Sequence, residues 1–423
     1  MRIDPFLSRL LPEFTDKQCY QVGRILREVF AGQSVTRGDL SLSLSLDVSS
    51  IAKYTKALVE AGVLREVTRN VDGRTGRQTE LELDHAAALN MVVILDLHRI
   101  TGALVDLSGE VVVQETAPMH FGIDASDLLD SIFGVLRRLK DHASQTNPNI
   151  LGIAIGMGGA VDQNNGISYR FRYSQNWDSV ELATMVEERF NLPCYLIHDT
   201  VAAVAGEKYF GYGRGVDNFI TVWMADGVSL AMVINGEIYL GNNGFLGEFG
   251  HTQAVEEGTL CYCGHSGCLE TATNSDYILR RATDGLRRGV DSELRASAGK
   301  DMDKLGIDAV KAAASRGDRL AKSIFEDVAF HLGNKLSDVI NVINPGLVTF
   351  RGAVIDGNPF LFDNIERILL NRSMWNISNH IELRFADRDS AIRLKGLAGW
   401  VLANYVGAIR VGPRESLGKV VTL

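Results

Sequence analysis

The chain has 423 residues, 46% of them hydrophobic and 22% charged, with a formal net charge of −9. This length holds two or three domains with cores of their own, and the balance of residue types is that of an ordinary soluble globular protein. No apolar run reaches the ~20 residues that cross a bilayer, and the N-terminus MRIDPFLSRLLPEF carries charges where a signal peptide is apolar. A cytoplasmic location without membrane insertion is expected. The negative charge is unevenly placed. Residues 1–85 hold 12 basic and 12 acidic side chains, so the whole deficit lies beyond them. Contact with nucleic acid is therefore expected of the N-terminal segment, because the remainder repels phosphates.

In chain order, residues 18–31 place Val22, Ile25, Leu26, Val29 and Phe30 at helical spacing. The alternation Leu40, Leu42, Leu44, Leu46 is a strand signal on its own, but its surroundings favour a short helix. Asp47 ahead of Val48-Ser49-Ser50 is an N-cap, and Ile51, Tyr54, Thr55, Leu58 and Val59 form a helical face that Gly62 closes. Helix, short helix, turn, helix is the helix-turn-helix order. Strand-like pieces at Val63–Arg69 and Gln78–Leu83 flank a Gly/Arg-rich turn and complete a winged helix-turn-helix over residues 1–85. Ser49, Ser50, Lys53, Tyr54 and Lys56 stand at the start and on the exposed side of the second helix, where a recognition helix meets the major groove. Arg74 and Arg77 on the wing are placed to reach phosphates or a minor groove. The plainer alternative is a solvated polar surface, and Glu66 and Asp72 dilute its basic character.

A boundary falls near His85–Asn90. Beyond it come a buried strand at Val92–Asp96, a hairpin at Gly102–Val113 and a helix at Leu128–Ala143. A strand at Ile150–Ile155 runs into Gly156-Met157-Gly158-Gly159. A helix at Leu182–Phe190, a strand at Cys194–Ile197 and a helix at Val201–Tyr209 follow. Ile220–Met224 and Ser229–Ile234 read as a hairpin around Asp226-Gly227, and the long amphipathic helix Ala321–Val342 leads into the strand Leu347–Phe350. This mixture over two similar stretches predicts an α/β protein of two lobes. Near the C-terminus, Ile392–Ile409 carries Leu394, Leu397, Trp400, Val401 and Tyr405 at helical spacing, suited to core or dimer packing or to contact with a partner protein.

Three of the five cysteines fall in the stretch H-T-Q-A-V-E-E-G-T-L-C-Y-C-G-H-S-G-C, from His251 to Cys268. His251, Cys261, Cys263 and Cys268 are a nitrogen–sulfur set that suits a structural Zn2+ with no open position. Gly264 and Gly267 permit the tight turns that gather the sulfurs. Cys19 and Cys194 are remote from the cluster, so a disulfide framework is not expected. The run Gly247-Glu248-Phe249-Gly250-His251 puts a carboxylate three residues before the metal histidine, the beginnings of a small-molecule site.

With these residues the chain resembles the repressor branch of the ROK family over essentially its whole length, most specifically in the block Gly247–Glu270. The resemblance implies a winged helix-turn-helix joined to a two-lobed actin/sugar-kinase-like (ribonuclease H-like) domain. The small lobe would span 86–200, completed by a C-terminal helix within 388–423. The large lobe would span 201–387 and carry the zinc loop and dimerisation helices. The resemblance also implies a structural zinc on His251, Cys261, Cys263 and Cys268, and an effector site formed by Asn176, His198, Asp199, Glu248, His251 and Glu270. Glu270 has an alternative role as a carboxylate at a helix N-terminus, and His198 as a core histidine. His265 lies outside the family ligand positions and is expected to face solvent.

Family kinases carry Asn-Asp where this chain has His198-Asp199, and a proline where it has Met157. Their first phosphate turn, Asp followed by Gly-Gly-Thr, here reads Asp96-Leu97-His98-Arg99-Ile100-Thr101. Their Gly-Thr-Gly reads Ala225-Asp226-Gly227, and their C-terminal Gly-Gly reads Arg351-Gly352. Side chains at such turns hold the backbone away from phosphate, and a carboxylate repels it. ATP is therefore not expected, and Asp199 becomes a vestigial base without a catalytic role. The expectation is a repressor of carbohydrate genes that binds a double-stranded, pseudo-palindromic operator as a homodimer or homotetramer. A sugar, a sugar phosphate or a sugar-transporter protein would control it. The alternative is a sugar kinase with Asp199 as base and an accessory DNA-binding domain.

Overall fold

The computed structural model describes residues 11–32, 35–70, 77–147, 149–242, 244–299, 302–386 and 391–406. The N-terminal module contains Asp16–Gly32 (α1), Arg37–Leu44 (α2), Val48–Glu60 (α3) and the antiparallel pair Leu64–Asn70 (β1) and Arg77–Leu83 (β2). A cap settles the fate of the alternating leucines. Thr36 Oγ1 accepts from Asp39 N at 3.0 Å while Thr36 N donates to Asp39 Oδ2 at 3.0 Å, the reciprocal pair that starts a helix. Helical geometry then buries Leu40 and Leu44, four apart, and leaves Leu42 82% exposed. Ser45, in the left-handed region at φ 52°, ends α2, and Asp47 caps α3 through the Ser50 amide at 2.8 Å. Ile51, Thr55 and Leu58 of α3 face inward onto Val22, Ile25, Leu26 and Val29 in the module's apolar centre. An isolated bridge from Val35 to Leu81 ties the start of α2 to the wing. Residues 71–76 of the wing, including Asp72 and Arg74, lie outside the described residues.

Residues through Ala202, together with those from Leu394 onward, form one unit, and Ala203–Arg393 form a second. The first unit contains the N-terminal module and a five-stranded sheet of Leu89–Asp96 (β3), Arg99–Asp106 (β4), Val111–Pro118 (β5), Ile150–Met157 (β6) and Cys194–His198 (β7), in the order β7-β6-β3-β4-β5. The pairs β3–β6 and β6–β7 are parallel, while β3–β4 and β4–β5 are antiparallel. Ala125–Thr146 (α4) and Leu182–Phe190 (α5) cover one face through a cluster that includes Met91, Val93, Leu136, Leu139 and Val186. The C-terminal helix Ile392–Tyr405 packs on the other face. It comes so close that a Cβ on Gly156 would lie 2.5 Å from Ile94 and 3.3 Å from Leu397. Leu394, Leu397, Trp400 and Val401 are all buried, so this stripe is core and presents no free face to a partner protein.

The second unit repeats the plan. Phe219–Met224 (β8), Val228–Ile234 (β9), Leu347–Arg351 (β10) and Glu382–Phe385 (β11), with the two-residue strand Glu237–Ile238 beyond β9, form another five-stranded sheet. The β8–β9 pair is an antiparallel hairpin, and β8–β10 and β10–β11 are parallel. Helices Ser275–Arg287, Ile307–Ser315, Arg319–Ile343 and Pro359–Arg372 cover it, with Phe325, Leu332, Leu336, Phe350 and Ile365 at the centre. The helix Asp199–Phe210 (α6) runs across the boundary between the units. Among the described residues no helix is long and apolar enough to cross a membrane.

Candidate metal centre and effector site

The four metal-ligand candidates come together in the second unit. One donor atom from each of His251, Cys261, Cys263 and Cys268 lies within 4.8 Å of the others. Cys261 Sγ is 3.5 Å from His251 Nδ1, and Cys263 Sγ is 3.6 Å from Cys268 Sγ. A tetrahedron with zinc–sulfur bonds of about 2.3 Å requires sulfurs roughly 3.8 Å apart, so the donor set fits a structural zinc. The backbone explains the convergence. Gly264 (φ 94°) and Gly267 (φ 76°) occupy left-handed turns. A Cβ on Gly267 would lie 1.7 Å from the Val255 carbonyl oxygen, so no other residue closes the loop there. Bridges pairing Gln253 with Cys268 and Leu260 with Ser266 complete the knuckle.

The thiols differ. The His265 amide N–H points at Cys263 Sγ and holds that thiol down at about 6, while burial pushes Cys268 up to about 12 and Cys261 above its ordinary value. Cys263 is the exposed ligand. His265, expected to face solvent, is exposed but also brings its Nδ1 to 3.6 Å from Cys263 Sγ.

The imidazole of His251 is shared. With Nδ1 among the sulfurs, Nε2 lies 2.9 Å from Tyr262 Oη and 3.5 Å from Glu248 Oε2. Tyr262 stands edge-on to the ring at 5.0 Å and was not singled out by sequence reasoning. Its place between two ligands, Cys261 and Cys263, was the available signal. Beside Glu248 opens a wide pocket of about 380 Å³, with Met232, Tyr239, Asn242 and Phe245 in its lining. Glu270 is different. It is buried, and its Oε2 accepts from the Val228 amide at 3.1 Å, tying the zinc-loop exit to the β8–β9 turn.

The other effector candidates belong to the first unit. His198 Nδ1 is 3.2 Å from Asp199 Oδ1 and accepts from the Thr200 amide at 3.3 Å. Asn176 donates its amide to Asp124 Oδ2 at 2.7 Å, the carboxylate that caps α4. Trp177 beside it is buried, with Nε1 donating to Ser168 Oγ at 2.9 Å. Within the first unit His198 meets Asp199 and Asn176 meets Asp124; within the second Glu248 meets His251, and Glu270 meets the hairpin.

The turns that would meet a nucleotide carry side chains of their own. Asp96 and Arg99 pair across a two-residue turn, Leu97-His98, that holds side chains in place of glycines. Ala225 N donates to Gly227 O at 2.9 Å, and both the Asp226 and Glu270 carboxylates belong to this turn. Arg351 points inward and forms a buried ion pair with Glu207, their side chains 5% and 0% exposed.

On the N-terminal module, Ser49 and Ser50 turn their hydroxyls onto the Asp47 carboxylate at 2.5 and 2.7 Å. Lys53 lies over the Phe14 ring at 5.6 Å, and half-buried Tyr54 meets the same ring edge-on. Lys56 pairs with Glu60, while Arg77 is exposed without an ion pair among the described residues. Arg65 and Arg69, by contrast, are both held by Glu82.

A winged helix-turn-helix fused to two repeated α/β sheets, with a centre of one histidine and three cysteines, defines the class: a kinase-like fold fitted with a DNA-binding module. The ROK family model matches residues 95–401, and the chain belongs to the ROK family. It is 28% identical over 394 residues to the DNA-binding transcriptional repressor Mlc of Escherichia coli K12, covering 92% of this chain and 94% of that one. It is also 28% identical over 344 residues to the dual regulator NagC of the same strain, covering 80% and 82%. A solved ROK family transcriptional regulator, a homologue of E. coli Mlc, matches with a TM-score of 0.78 at 25% identity over 93% of this chain and 99% of that one. A ROK glucokinase from Streptomyces griseus, solved with glucose and AMPPNP, matches 74% of this chain and 99% of its own, with a TM-score of 0.65 at 24% identity, a likeness of fold alone.

Proposed function

We propose that this chain is a DNA-binding transcriptional repressor of carbohydrate genes, with a kinase-like body that senses a ligand and no longer transfers phosphate. The observation that carries the reading is the capped recognition helix α3 on a body whose nucleotide turns are filled by its own side chains. Ser49, Ser50, Lys53, Tyr54 and Lys56 on α3 and Arg77 on the wing face operator DNA; Arg74, assigned to the same surface from the sequence, lies outside the described residues. A zinc held by His251, Cys261, Cys263 and Cys268 supplies rigidity, because a closed four-ligand site fixes the loop that carries its ligands. His251 Nε2 stays outside the metal, bonded to Tyr262 and near Glu248, and an effector hydroxyl would exchange with that of Tyr262 there. His198, Asp199, Asn176 and Glu270 supply the remaining polar groups for a sugar, a sugar phosphate or a sugar-transporter protein. The protein acts as a homodimer or homotetramer, since two recognition helices one turn apart read a pseudo-palindrome.

A fluorescence-anisotropy titration on the chain's own promoter region tests this. Binding several-fold tighter than to random DNA is expected, and equal binding sinks the reading. Lys56→Ala should weaken binding on all sequences and reduce the slope of log K against log salt by about 1. ADP release from ATP and a panel of sugars, abolished in Asp199→Ala, would instead establish a kinase.

A further inference from the structure

The segment between the winged helix and the body has the sequence of a tether but the bonding of a clamp. Its backbone is committed to the body. The Ala86 carbonyl accepts from Asn147 Nδ2 at 2.6 Å, and the Ala87 carbonyl from Asn149 Nδ2 at 3.2 Å. The Leu89 amide donates to the Asn149 carbonyl at 2.8 Å, and the Leu107 amide donates to the His85 carbonyl at 3.2 Å. One residue earlier the Asp84 amide donates to Val63 O at 2.8 Å, within the winged helix. The backbone of a free linker bonds to water. This one is stitched on one side to the wing and on the other to the loop after α4 and the turn after β4. The winged helix accordingly falls within the same unit as the first sheet.

Beside the clamp the two sides meet in apolar contact. Leu26, Val63 and Leu83 of the winged helix, Leu107 after β4, Leu151 of β6 and Leu402 of the C-terminal helix surround a cavity of only about 30 Å³, room for about one water. A seam filled to that degree holds its two sides together as a protein interior does.

We infer that the Asn147 and Asn149 side chains and the apolar seam beside them form a clamp that fixes the angle of the winged helix on the body. The orientation of the recognition helix is thereby coupled to the lobe that carries β6 and the C-terminal helix. The inference rests on the repressor reading and adds its mechanical path. The two asparagines are positioning residues with no DNA contact. In a dimer each winged helix is then held at a fixed distance and angle, and half-site spacing becomes a property of the body rather than of a flexible arm.

The test uses the full chain, zinc-loaded, and a duplex that the wild-type protein has selected from a random-sequence pool. One or two base pairs are inserted between its half-sites, each turning one half-site by roughly 34° and moving it about 3.4 Å. Wild-type affinity should fall about tenfold or more for the two-base-pair insertion, and that of the double variant Asn147→Ala/Asn149→Ala about threefold or less, on the scale of ordinary site mismatches. Hydrogen exchange at the Leu89 and Leu107 amides should quicken in the double variant. Equal spacing penalties in wild type and double variant, or a selected duplex with a single half-site, overturn the clamp and leave the repressor intact. Failure of the wild type to select any sequence overturns both.

Discussion

His251 presents two nitrogens to two chemistries, and this division orders the residues around it. Nδ1 belongs to the sulfurs, while Nε2 belongs to Tyr262 and Glu248. Second neighbours of this kind orient a metal ligand and tune it. Among the sulfurs, Cys263 at about 6 is a thiolate at neutral pH, whereas Cys268 at about 12 and Cys261, also raised, carry protons before metal arrives. Zinc therefore displaces about two protons per chain at pH 7.5. Calorimetry in buffers of different ionisation enthalpy counts them, and zinc affinity should weaken as pH falls, because protons compete for the same sulfurs. Release of three protons would show that Cys263 is not a preformed thiolate. The Arg351–Glu207 pair makes a separate prediction. Both groups are out of water, so Glu207→Ala leaves a buried guanidinium unpaired and should cost roughly 3–5 kcal/mol, read from urea denaturation. ATP should not bind the variant, because removing Glu207 rebuilds no phosphate turn.

At the scale of elements, α3 depends on its first residue. The hydroxyls of Ser49 and Ser50 and the Ser50 amide hold the Asp47 carboxyl well below the usual carboxylate range. A depressed folded-state value means that its stabilisation is present above the unfolded carboxylate range and is lost as pH falls through it. Asp47→Asn keeps a capping oxygen without the charge, so it should flatten the low-pH loss of stability while DNA binding at pH 7 stays within a few-fold of wild type. An unchanged acid limb of the stability curve would assign that loss to other carboxylates. The same region shows how legible the sequence was. Helical spacing and caps marked α1, α2 and α3, and the two cores formed where apolar runs lay. The set of one histidine and three cysteines was also readable, since all four ligands fall within one stretch. Long-range commitments were not. Nothing near Asn176 in sequence announces that Asp124, 52 positions earlier, accepts its amide, and nothing near Glu270 announces that the Val228 amide, 42 positions earlier, donates to its carboxylate. The C-terminal stripe has the spacing of a docking face, but β6 and its neighbours bury it. Pairwise spacing carries no information about which distant backbone group a side chain meets.

For the whole molecule, the question is whether the metal centre in the second unit affects the winged helix in the first. A ligand shifts an equilibrium only by the difference in its affinity for the two states, and the coupling is reciprocal. If an effector lowers operator affinity by a given factor, saturating operator must lower effector affinity by the same factor. Thermal-shift hits from a panel of sugars and sugar phosphates, titrated with and without DNA, measure both sides of that cycle. The metal enters the same cycle. Cys263→Ser removes the one exposed ligand and should drop zinc content from about one per chain to near zero, since three protein ligands leave a structural site incomplete. Loss of the metal frees the Gly247–His251 turn and with it the Nε2 side of His251. Specific operator binding should then fall about tenfold or more, the size of a typical coupling energy, while far-UV circular dichroism is retained. A zinc-free variant that binds its operator as tightly as wild type, and still releases it with effector, would reduce the centre to a local staple and place control in His198 and Asp199 of the first unit.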